Sequence, residues 1–466
     1  MSKAGISSGE TEDPMTKFLR FVVPLIVVAS VLAGARPATA DPTGPPVPGA
    51  GQDQHSQNMK LLASLPRTGT VNSDLAFWGN IAYQGNYNGF RVIDISEPDQ
   101  PSVLADVDCG SGQGDVTVWQ NILVRSVDYP MTERSCVGER SPNPTLSGQF
   151  EGVQIFDVSD PHNPQLMKLV DTDCGSHTNT VIPDPAHGRL LIYVLSYFLL
   201  PGPNCGDDRE ANPLHAKFSI VSVPLTHPQD AAVVATPPID AEPFVLDGLG
   251  PTIGCHDVGV FMPLHLAAVA CLSEAQLWDI SDPLHPRTIA RIQEPDPGFE
   301  IWHSATWTWD GKYIVFGDES ESGSCHGDQT EMDGRVWFYR LSDLQNGTTT
   351  PVGSFLIPRD QGDEYCSAHM FNVVPVKDRY VLVSSWYGGG VDVIDFTDPT
   401  HATEIGYYDV ESPNQGSHWA GYWYNGFIYG SDIPHGFDAF LYSGPQRSGA
   451  QRLGHLNPQT QESYLR

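Results

Sequence analysis

The sequence predicts an all-β protein, a seven-bladed β-propeller whose blades each contain four antiparallel strands. Three observations lead to this fold. A short unit recurs at residues 90–98, 153–161, 275–283 and 391–399. A second short alternating strand follows three of these copies, and similar strand–turn–strand segments start at seven places along the chain. Hairpins that repeat in this way indicate a propeller, a solenoid or another repeat array.

Each unit is a short apolar strand that runs into an Asp, a Ser or Thr, an acid and a Pro. The copy at 275–283 ends in Asp279-Ile280-Ser281-Asp282-Pro283. Apolar and β-branched residues favour the strand, while Asp and Ser cap the turn with their side chains and Pro fixes φ. The corner acids lack the run of spaced oxygen ligands of a calcium loop, so they predict turns.

These units resemble the LVIVD repeat, which is named for the strand that here reads Val92-Ile93-Asp94, Ile155-Phe156-Asp157 or Leu277-Trp278-Asp279. The resemblance covers about residue 59 to about residue 441. It implies a β-propeller. It implies no established reaction, so the function has to come from the residues of the site.

The seven blades can be followed in order along the chain. Two of them have degenerate copies of the repeated strand, at 218–223 and 336–341. The seventh blade ends near residue 441 with only three strands, whereas an unpaired strand at 59–65 precedes the first blade. If that strand completes blade seven, the ring closes and two unpaired edges, which would otherwise invite aggregation, disappear.

The start of the chain predicts export. Lys17 and Arg20 precede an apolar run at 21–34, and Ala38-Thr39-Ala40 is a small-residue cleavage site. We therefore expect a signal peptide at 1–40, with Met15 as the true start, and a secreted or cell-surface protein. A flexible linker at 41–58, the propeller at 59–442 and a disordered polar tail at 443–466 complete the predicted organisation. The mature chain has no apolar run long enough to span a membrane.

The eight cysteines form an even set in a chain that we expect to be exported, so they predict disulfides. Asp-Cys-Gly-Ser occurs at the same place in two successive repeats, at Cys109 and Cys174, and each is followed by an insertion with one further cysteine. This internal symmetry favours the bridges Cys109–Cys136 and Cys174–Cys205, which leaves Cys255 with Cys271 and Cys325 with Cys366.

Composition and motifs exclude several classes of function. The net charge of −31 opposes binding to nucleic acid or to an anionic membrane. The sequence contains no nucleophile elbow, phosphate loop or dinucleotide fingerprint, so hydrolase and kinase chemistry have no support. A small molecule or an envelope protein is the expected partner, and we expect a monomer.

The first residues of the seven blades form the candidate site. Aligned, they are Asp74, Asp115, His177, His256, His303, His369 and His418. First strands line the channel of a propeller, so these side chains should surround one mouth of it. Near the ends of second strands, and expected to approach the same mouth, lie Glu274, Asp318 and Asp432. Insertions at 127–149, 197–214 and 319–333 crowd that face, and such insertions often mark the binding face of a repeat fold.

Neutral imidazoles with added carboxylates suit copper, zinc or iron. The predicted metal ligands are therefore the five histidines, with the five carboxylates as further candidates. Histidines that hydrogen-bond within their blades, or that line a wet channel, are the alternative. At the level of architecture only, the ring is similar to the metal-binding propellers of selenium-binding protein, methanethiol oxidase and nitrous oxide reductase. Two functions stay open, an extracellular binding or interaction protein and a metal-dependent enzyme, with oxidoreductase chemistry the first expectation for an enzyme.

Overall fold

The structure is a computed structural model, and it describes residues 54–110, 112–142, 148–197, 215–246, 250–295, 299–320, 324–326, 333–410 and 418–465. The predicted signal peptide and most of the predicted linker lie outside these ranges. Among the described residues, no helix combines the length and the apolarity needed to cross a membrane.

Seven antiparallel blades of four strands follow one another in chain order, as the sequence predicts. Two short strands, β1 (Gln54–His55) and β2 (Met59–Pro66), precede the first blade. Blade one contains β3 (Asn72–Trp78), β4 (Ile81–Asn86), β5 (Gly89–Asp94) and β6 (Ser102–Asp108). Blade two contains β7 (Val116–Trp119), β8 (Ile122–Met131), β9 (Phe150–Asp157) and β10 (Gln165–Asp171), and blade three contains β11 (Thr178–Asp184), β12 (Arg189–Leu195), β13 (Ser219–Pro224) and β14 (Ala232–Ala235).

A two-stranded hairpin, β15 (Phe244–Leu246) and β16 (Gly250–Thr252), separates blades three and four. Blade four contains β17 (Asp257–Phe261), β18 (Leu266–Cys271), β19 (Glu274–Asp279) and β20 (Arg287–Ile292). Blade five contains β21 (Trp302–Trp307), β22 (Tyr313–Asp318), β24 (Val336–Arg340) and β25 (Gly353–Phe355), and its insertion contributes β23 (Ser324–His326), which pairs with β26 (Asp360–Tyr365). The short helix α1 (Leu341–Gln345) follows β24.

Blade six contains β27 (Ser367–Val373), β28 (Val381–Tyr387), β29 (Gly390–Asp395) and β30 (Thr403–Asp409). Blade seven contains β31 (His418–Tyr424), β32 (Phe427–Asp432) and β33 (Gly436–Tyr442), and two short strands near the end of the chain are β34 (His455–Leu456) and β35 (Thr460–Gln461). Neighbouring first strands contact one another around the whole ring, including β31 with β3, so they enclose a central channel.

Strand β2 completes blade seven. It pairs antiparallel with β33, from Met59 opposite Tyr442 to Pro66 opposite Gly436, which confirms the predicted closure of the ring. The pairing removes the free edge that three strands alone would leave. Strand β1, within the predicted linker, pairs with β30 of blade six, so the ordered part of the chain begins before the predicted boundary at residue 59.

The repeated corners fold as the sequence predicts. The carboxylates of Asp94, Asp157, Asp279 and Asp395 each accept the backbone N–H two residues further on. Between the blades lie buried aromatic side chains. Trp307 of β21, for example, is fully buried and donates its indole N–H to the carbonyl of Gly259 in the neighbouring blade, at 2.7 Å. Trp307 thereby ties blade five to blade four.

The three disulfides within the described residues are Cys109–Cys136, Cys255–Cys271 and Cys325–Cys366. All three are predicted pairs, Cys109–Cys136 from the repeat symmetry and the other two from the cysteines that this symmetry leaves. Cys174 is also disulfide-bonded, and its predicted partner, Cys205, lies outside the described residues.

The end of the chain differs from its prediction as a disordered tail. Residues 450–465, which we call the C-terminal plug, cross the channel at the end away from the first residues of the blades. Strand β34 pairs with β3 at Phe77 and Trp78, and β35 runs parallel to β17 at Val260 and Phe261. The polar composition of this segment predicted disorder, but its polar side chains form hydrogen bonds with buried groups of four blades. The contacts join Asn457 to Val118, Gln459 to Asp74, Thr460 to Val181 and Gln461 to Trp307.

Candidate functional site

Four histidines meet at one mouth of the channel, which we call the histidine cluster. They are His177, His256, His303 and His369, each at or next to the start of a first strand, and all are at most 3% exposed. Their ring centroids are separated by 4.8 Å from His177 to His256, 3.6 Å from His256 to His303 and 4.5 Å from His303 to His369. Blades three to six thus bring four of the five predicted histidines into one continuous row.

Burial and mutual repulsion favour the neutral form of three of these imidazoles, those of His256, His303 and His369. Burial lowers the pKa of His256 and of His303 well below the ordinary value, and the neighbouring histidines lower both further. Burial lowers the pKa of His369 to about 3. A neutral imidazole has a nitrogen lone pair, which is the form that binds a metal ion.

Glu319 joins two of these histidines. Its Oε2 lies 3.4 Å from Nε2 of His303, and its Oε1 lies 3.7 Å from Nε2 of His369. The three ligand atoms lie within 4.8 Å of one another. Nδ1 of His369 donates to the carbonyl of Trp419 at 2.5 Å, which leaves its Nε2 as the acceptor that faces Glu319.

Two nitrogens in the histidine cluster are buried and have no hydrogen-bond partner among the residues that the structure describes. They are Nδ1 of His256 and Nδ1 of His303. A buried polar atom without a partner costs about 1–3 kcal/mol, so most such atoms in native proteins are satisfied. These two nitrogens are donor atoms that a metal ion could take up.

His177 is held differently from the other three. Its Nδ1 lies 3.0 Å from Oδ2 of the buried Asp128, and its Nε2 lies 2.8 Å from Nε2 of Gln113 and 3.2 Å from the hydroxyl of Tyr197. Both ring nitrogens are therefore engaged. A carboxylate on Nδ1 fixes the tautomer and the orientation of the ring.

The structure places His418 away from the histidine cluster. In blade seven, His418 is opposite Asp432 and Ala420 is opposite Ser431, so Trp419 is the extra residue of a bulge. In blade five, Trp302 is opposite Asp318 and Ser304 opposite Gly317, so His303 has that place. Trp419 thus corresponds to His303, and its ring lies 4.8 Å from that of His369. The alignment of first residues was shifted by one in this blade, and one residue reverses the direction of a side chain.

His418 instead points into its own blade, where Nε2 lies 3.3 Å from Oδ2 of Asp438. His418, Asp432 and Asp438 form a second group of ligand atoms within 4.8 Å. Burial opposes the charge on His418, but the nearby carboxylates of Asp438 and Asp432 outweigh burial and raise its pKa. An imidazole whose proton is favoured by two nearby carboxylates suits an ion pair better than a metal-ligand set.

The other predicted carboxylates also lie outside the histidine cluster. Glu274 binds Arg291 and Gln276. Asp318 accepts the backbone N–H groups of residues 300, 301 and 334, and burial raises its pKa to about 7. Asp432 accepts the backbone N–H of His435.

Asp74 and Asp115 lie deeper in the channel, where Asp74 accepts from Tyr422 and Gln459 and Asp115 accepts from Asn179. Burial raises the pKa of Asp115 well above the ordinary value, and the charge of Asp74 raises it further.

Sequence reasoning missed Glu319 and Asp128. Glu319 follows the last residue of β22, one position beyond the predicted Asp318, and Asp128 lies inside the long strand β8. Both stand at the edges of the insertions at 319–333 and 127–149. Both residues could have been predicted from the sequence by considering the acidic residues at the borders of the insertions on the predicted binding face.

The LVIVD repeat model matches residues 71–108 and 148–172. The first match is blade one, and the second covers the two outer strands of blade two. The protein carries LVIVD repeats. The propeller is also similar to a protein of Lactobacillus plantarum of known crystal structure, at 12% sequence identity over 78% of this chain and 88% of that chain, with a TM-score of 0.48. No protein with a curated description matches the sequence.

A third group of ligand atoms in the LVIVD propeller comprises Asp173, Cys174 and His215. Cys174 is disulfide-bonded, so its sulfur is not a thiolate ligand. The histidine cluster with Glu319 therefore has the donor set best suited to a metal ion, with neutral nitrogens and a carboxylate oxygen converging from blades four to six.

Proposed function

We propose that this LVIVD propeller is an exported protein that binds one transition-metal ion at the mouth of its channel. His303, His369 and Glu319 are the proposed ligands, with His256 beside them. The observation that carries the proposal is the convergence of the three ligand atoms within 4.8 Å. Copper, zinc and iron all accept imidazole nitrogen together with a carboxylate oxygen.

The distances support this ligand set. Two ligand atoms at about 2.0–2.2 Å from one ion and at a tetrahedral or octahedral angle are separated by roughly 3–3.5 Å. Glu319 lies 3.4 Å from His303 and 3.7 Å from His369, so small shifts would place all three around one ion. The bond from His369 to the carbonyl of Trp419 is the usual way in which a protein orients a metal-bound histidine.

His177 has a supporting role in this proposal. Its nitrogens already contact Asp128, Gln113 and Tyr197. It lies beside His256, whose pKa is lowered by burial and further by its neighbour His177. His418 has no role in the site, because it is bound within blade seven.

Elemental analysis of protein purified without a histidine tag tests the proposal. We expect about one copper, zinc or iron per chain in the wild type and none in the double variant His303→Ala/His369→Ala. The control is His401→Ala, which removes a solvent-exposed histidine on a turn. Full metal in the double variant, with unchanged circular dichroism, would rule out this ligand set.

A metal-dependent oxidoreductase is the second candidate function. It is favoured by two tyrosines at the site, since the ring of Tyr387 stacks on the proposed ligand His369 at 4.4 Å and Tyr197 contacts His177 in the histidine cluster. Phenols beside a redox metal can pass electrons and protons. Copper or iron that cycles between two oxidation states under peroxide and ascorbate would support it, whereas a zinc content would argue against it.

Export is supported by the disulfides, because such bridges persist in oxidising compartments. Expression of the full chain in a secreting host tests it. We expect a mature protein whose first residue is Asp41, as determined by mass spectrometry. An N-terminus at Met1 on protein retained in the cytoplasm would contradict export.

A further inference from the structure

An aromatic surface borders the histidine cluster. Tyr129, Tyr197 and Leu272 pack together, and Tyr87 packs against them. The ring of Tyr197 lies 4.7 Å from His177 and 5.8 Å from His256. The ring of Tyr87 lies 6.2 Å from Trp419, which in turn contacts His369. We call Tyr87, Tyr129, Tyr197 and Trp419 the aromatic wall, since they extend from one end of the histidine row to the other.

Two hydrogen-bond donors at this wall are buried and have no partner within the described part of the chain. One is the hydroxyl of Tyr87, and the other is Nη2 of Arg140. The guanidinium of Arg140 lies over the ring of Tyr129, 3.9 Å from its centroid. Burial raises the pKa of Tyr87 well above the ordinary value, so its hydroxyl keeps its proton and can only be satisfied by an acceptor or by water.

The carboxylates of the site already have other partners. Asp128 contacts His177, and Glu319 contacts His303 and His369. Within the described part of the chain, Arg140 forms no ion pair. A buried arginine nitrogen and a buried phenol without partners, in a site that already contains two engaged carboxylates, require an acceptor that the described chain does not supply.

Backbone pairing fixes the position of Arg140. It lies in the insertion of blade two, where its backbone bridges to Met131 at the end of β8. The same strand contributes Asp128 and Tyr129. One strand and its insertion therefore present a carboxylate to His177, an aromatic ring to the wall and a cation above that ring.

We propose that the site binds a small organic anion with a planar apolar body, such as an aromatic carboxylate. Its carboxylate would accept from Arg140 and Tyr87, and its ring would lie on the aromatic wall beside the histidine cluster. Arginine binds carboxylates with two parallel hydrogen bonds, which suits an acceptor of this shape. The inference rests on the proposed metal site only for the location of the ligand beside the histidine cluster. Every contact named for the anion comes from protein side chains.

Isothermal titration with three probes tests the inference. Benzoate carries both the charge and the ring, benzamide lacks the charge, and acetate lacks the ring. We expect benzoate to bind the wild-type protein as isolated, and benzamide and acetate to bind at least about 10-fold more weakly. Equal binding of benzoate and benzamide, or no binding of benzoate, would overturn the inference.

Three variants locate the ligand. Arg140→Met should weaken benzoate binding by about 10- to 100-fold, and Tyr87→Phe by a smaller factor. Arg134→Met is the matched control, because Arg134 belongs to the same insertion but pairs with Asp171 at the surface. Benzoate affinity that Arg140→Met leaves unchanged would also overturn the inference.

Metal content measured on the same samples separates the two proposals. If the protein contains metal but does not bind benzoate, only the proposed organic anion is refuted. If the protein as isolated contains no metal but binds benzoate, only the proposed metal site is refuted. Arg140→Met is expected to keep the metal content of the wild type, because Arg140 has no contact with the proposed ligands.

Discussion

Nε2 of His303 lies 3.4 Å from Oε2 of Glu319, whereas the carboxylate of the preceding residue, Asp318, accepts backbone N–H groups. Two consecutive acids at the end of β22 thus have opposite roles. One faces the imidazoles of the channel mouth, and the other secures the loops around blade five. This alternation allows the site to be tested with a pair of neighbouring substitutions.

Glu319→Gln should weaken metal binding by about 10-fold or more, because it removes the only proposed anionic ligand while it keeps the size of the side chain. Asp318→Asn is the matched control and should keep the metal, since burial already raises the pKa of Asp318 to about 7. Competition with a chromogenic chelator measures both. Equal affinities for the two variants would exclude Glu319 as a ligand.

His418→Gln should destabilise the fold by about 3–5 kcal/mol, because it leaves Asp432 and Asp438 without a buried cationic partner. The raised pKa of His418 means that this contribution is fully present below the unfolded pKa of about 6.5 and is lost as pH rises through the folded pKa. Urea denaturation across this range measures it. The metal content should not change, and its loss would contradict our placement of His418 outside the site.

Asp115→Asn should flatten part of the pH dependence of stability. The pKa of Asp115 is raised, so the protonated carboxyl stabilises the folded state below its unfolded pKa of 3.8, and this stability is lost as pH rises through the folded pKa. Asn imitates the protonated form and can still accept from Asn179. The difference in unfolding free energy between variant and wild type should therefore grow in favour of the variant as pH rises above about 4. A difference in unfolding free energy that does not change with pH would contradict this prediction.

Truncation after Gly449 should lower the melting temperature, because it removes the C-terminal plug. The loss includes the pairing of β34 with β3 and of β35 with β17, and each lost hydrogen bond contributes about 1 kcal/mol. Differential scanning calorimetry measures the shift. The milder variant Asn457→Ala loses two hydrogen bonds to the backbone of Val118. Its melting temperature should lie between those of the wild type and the truncated protein. An unchanged melting temperature for the truncated protein would show that the plug does not stabilise the ring.

Local patterns were sufficient to predict the fold. The repeated corner specified each hairpin, and the count of strands required Met59–Pro66 to complete the last blade, as it does. Repeat symmetry also predicted the pairing of Cys109 with Cys136. These features depend on periodic residues, and such residues are visible in one sequence.

The predictions that were wrong concern features set by strand register or by contacts between distant parts of the chain. A bulge at Trp419 shifts blade seven by one residue, so His418 faces away from the channel and Trp419 faces it. The same one-residue distinction separates Glu319 from Asp318. Gln459 and Thr460 of the plug bond to groups in other blades, and no local periodicity reveals such partners.

The closure of the ring also has a kinetic consequence. Strand β2 is among the first to be synthesised, yet its partner β33 is among the last, and the bond from Ser64 to Asp438 spans 374 residues. Contacts of such sequence separation form slowly, because the entropy of closing the intervening chain is lost before the contact is gained. During synthesis, the blades already formed would present an unpaired edge for as long as the rest of the chain is missing, which exposes the nascent protein to aggregation. Production of this protein should therefore depend on how quickly the whole chain is delivered to the compartment in which it folds.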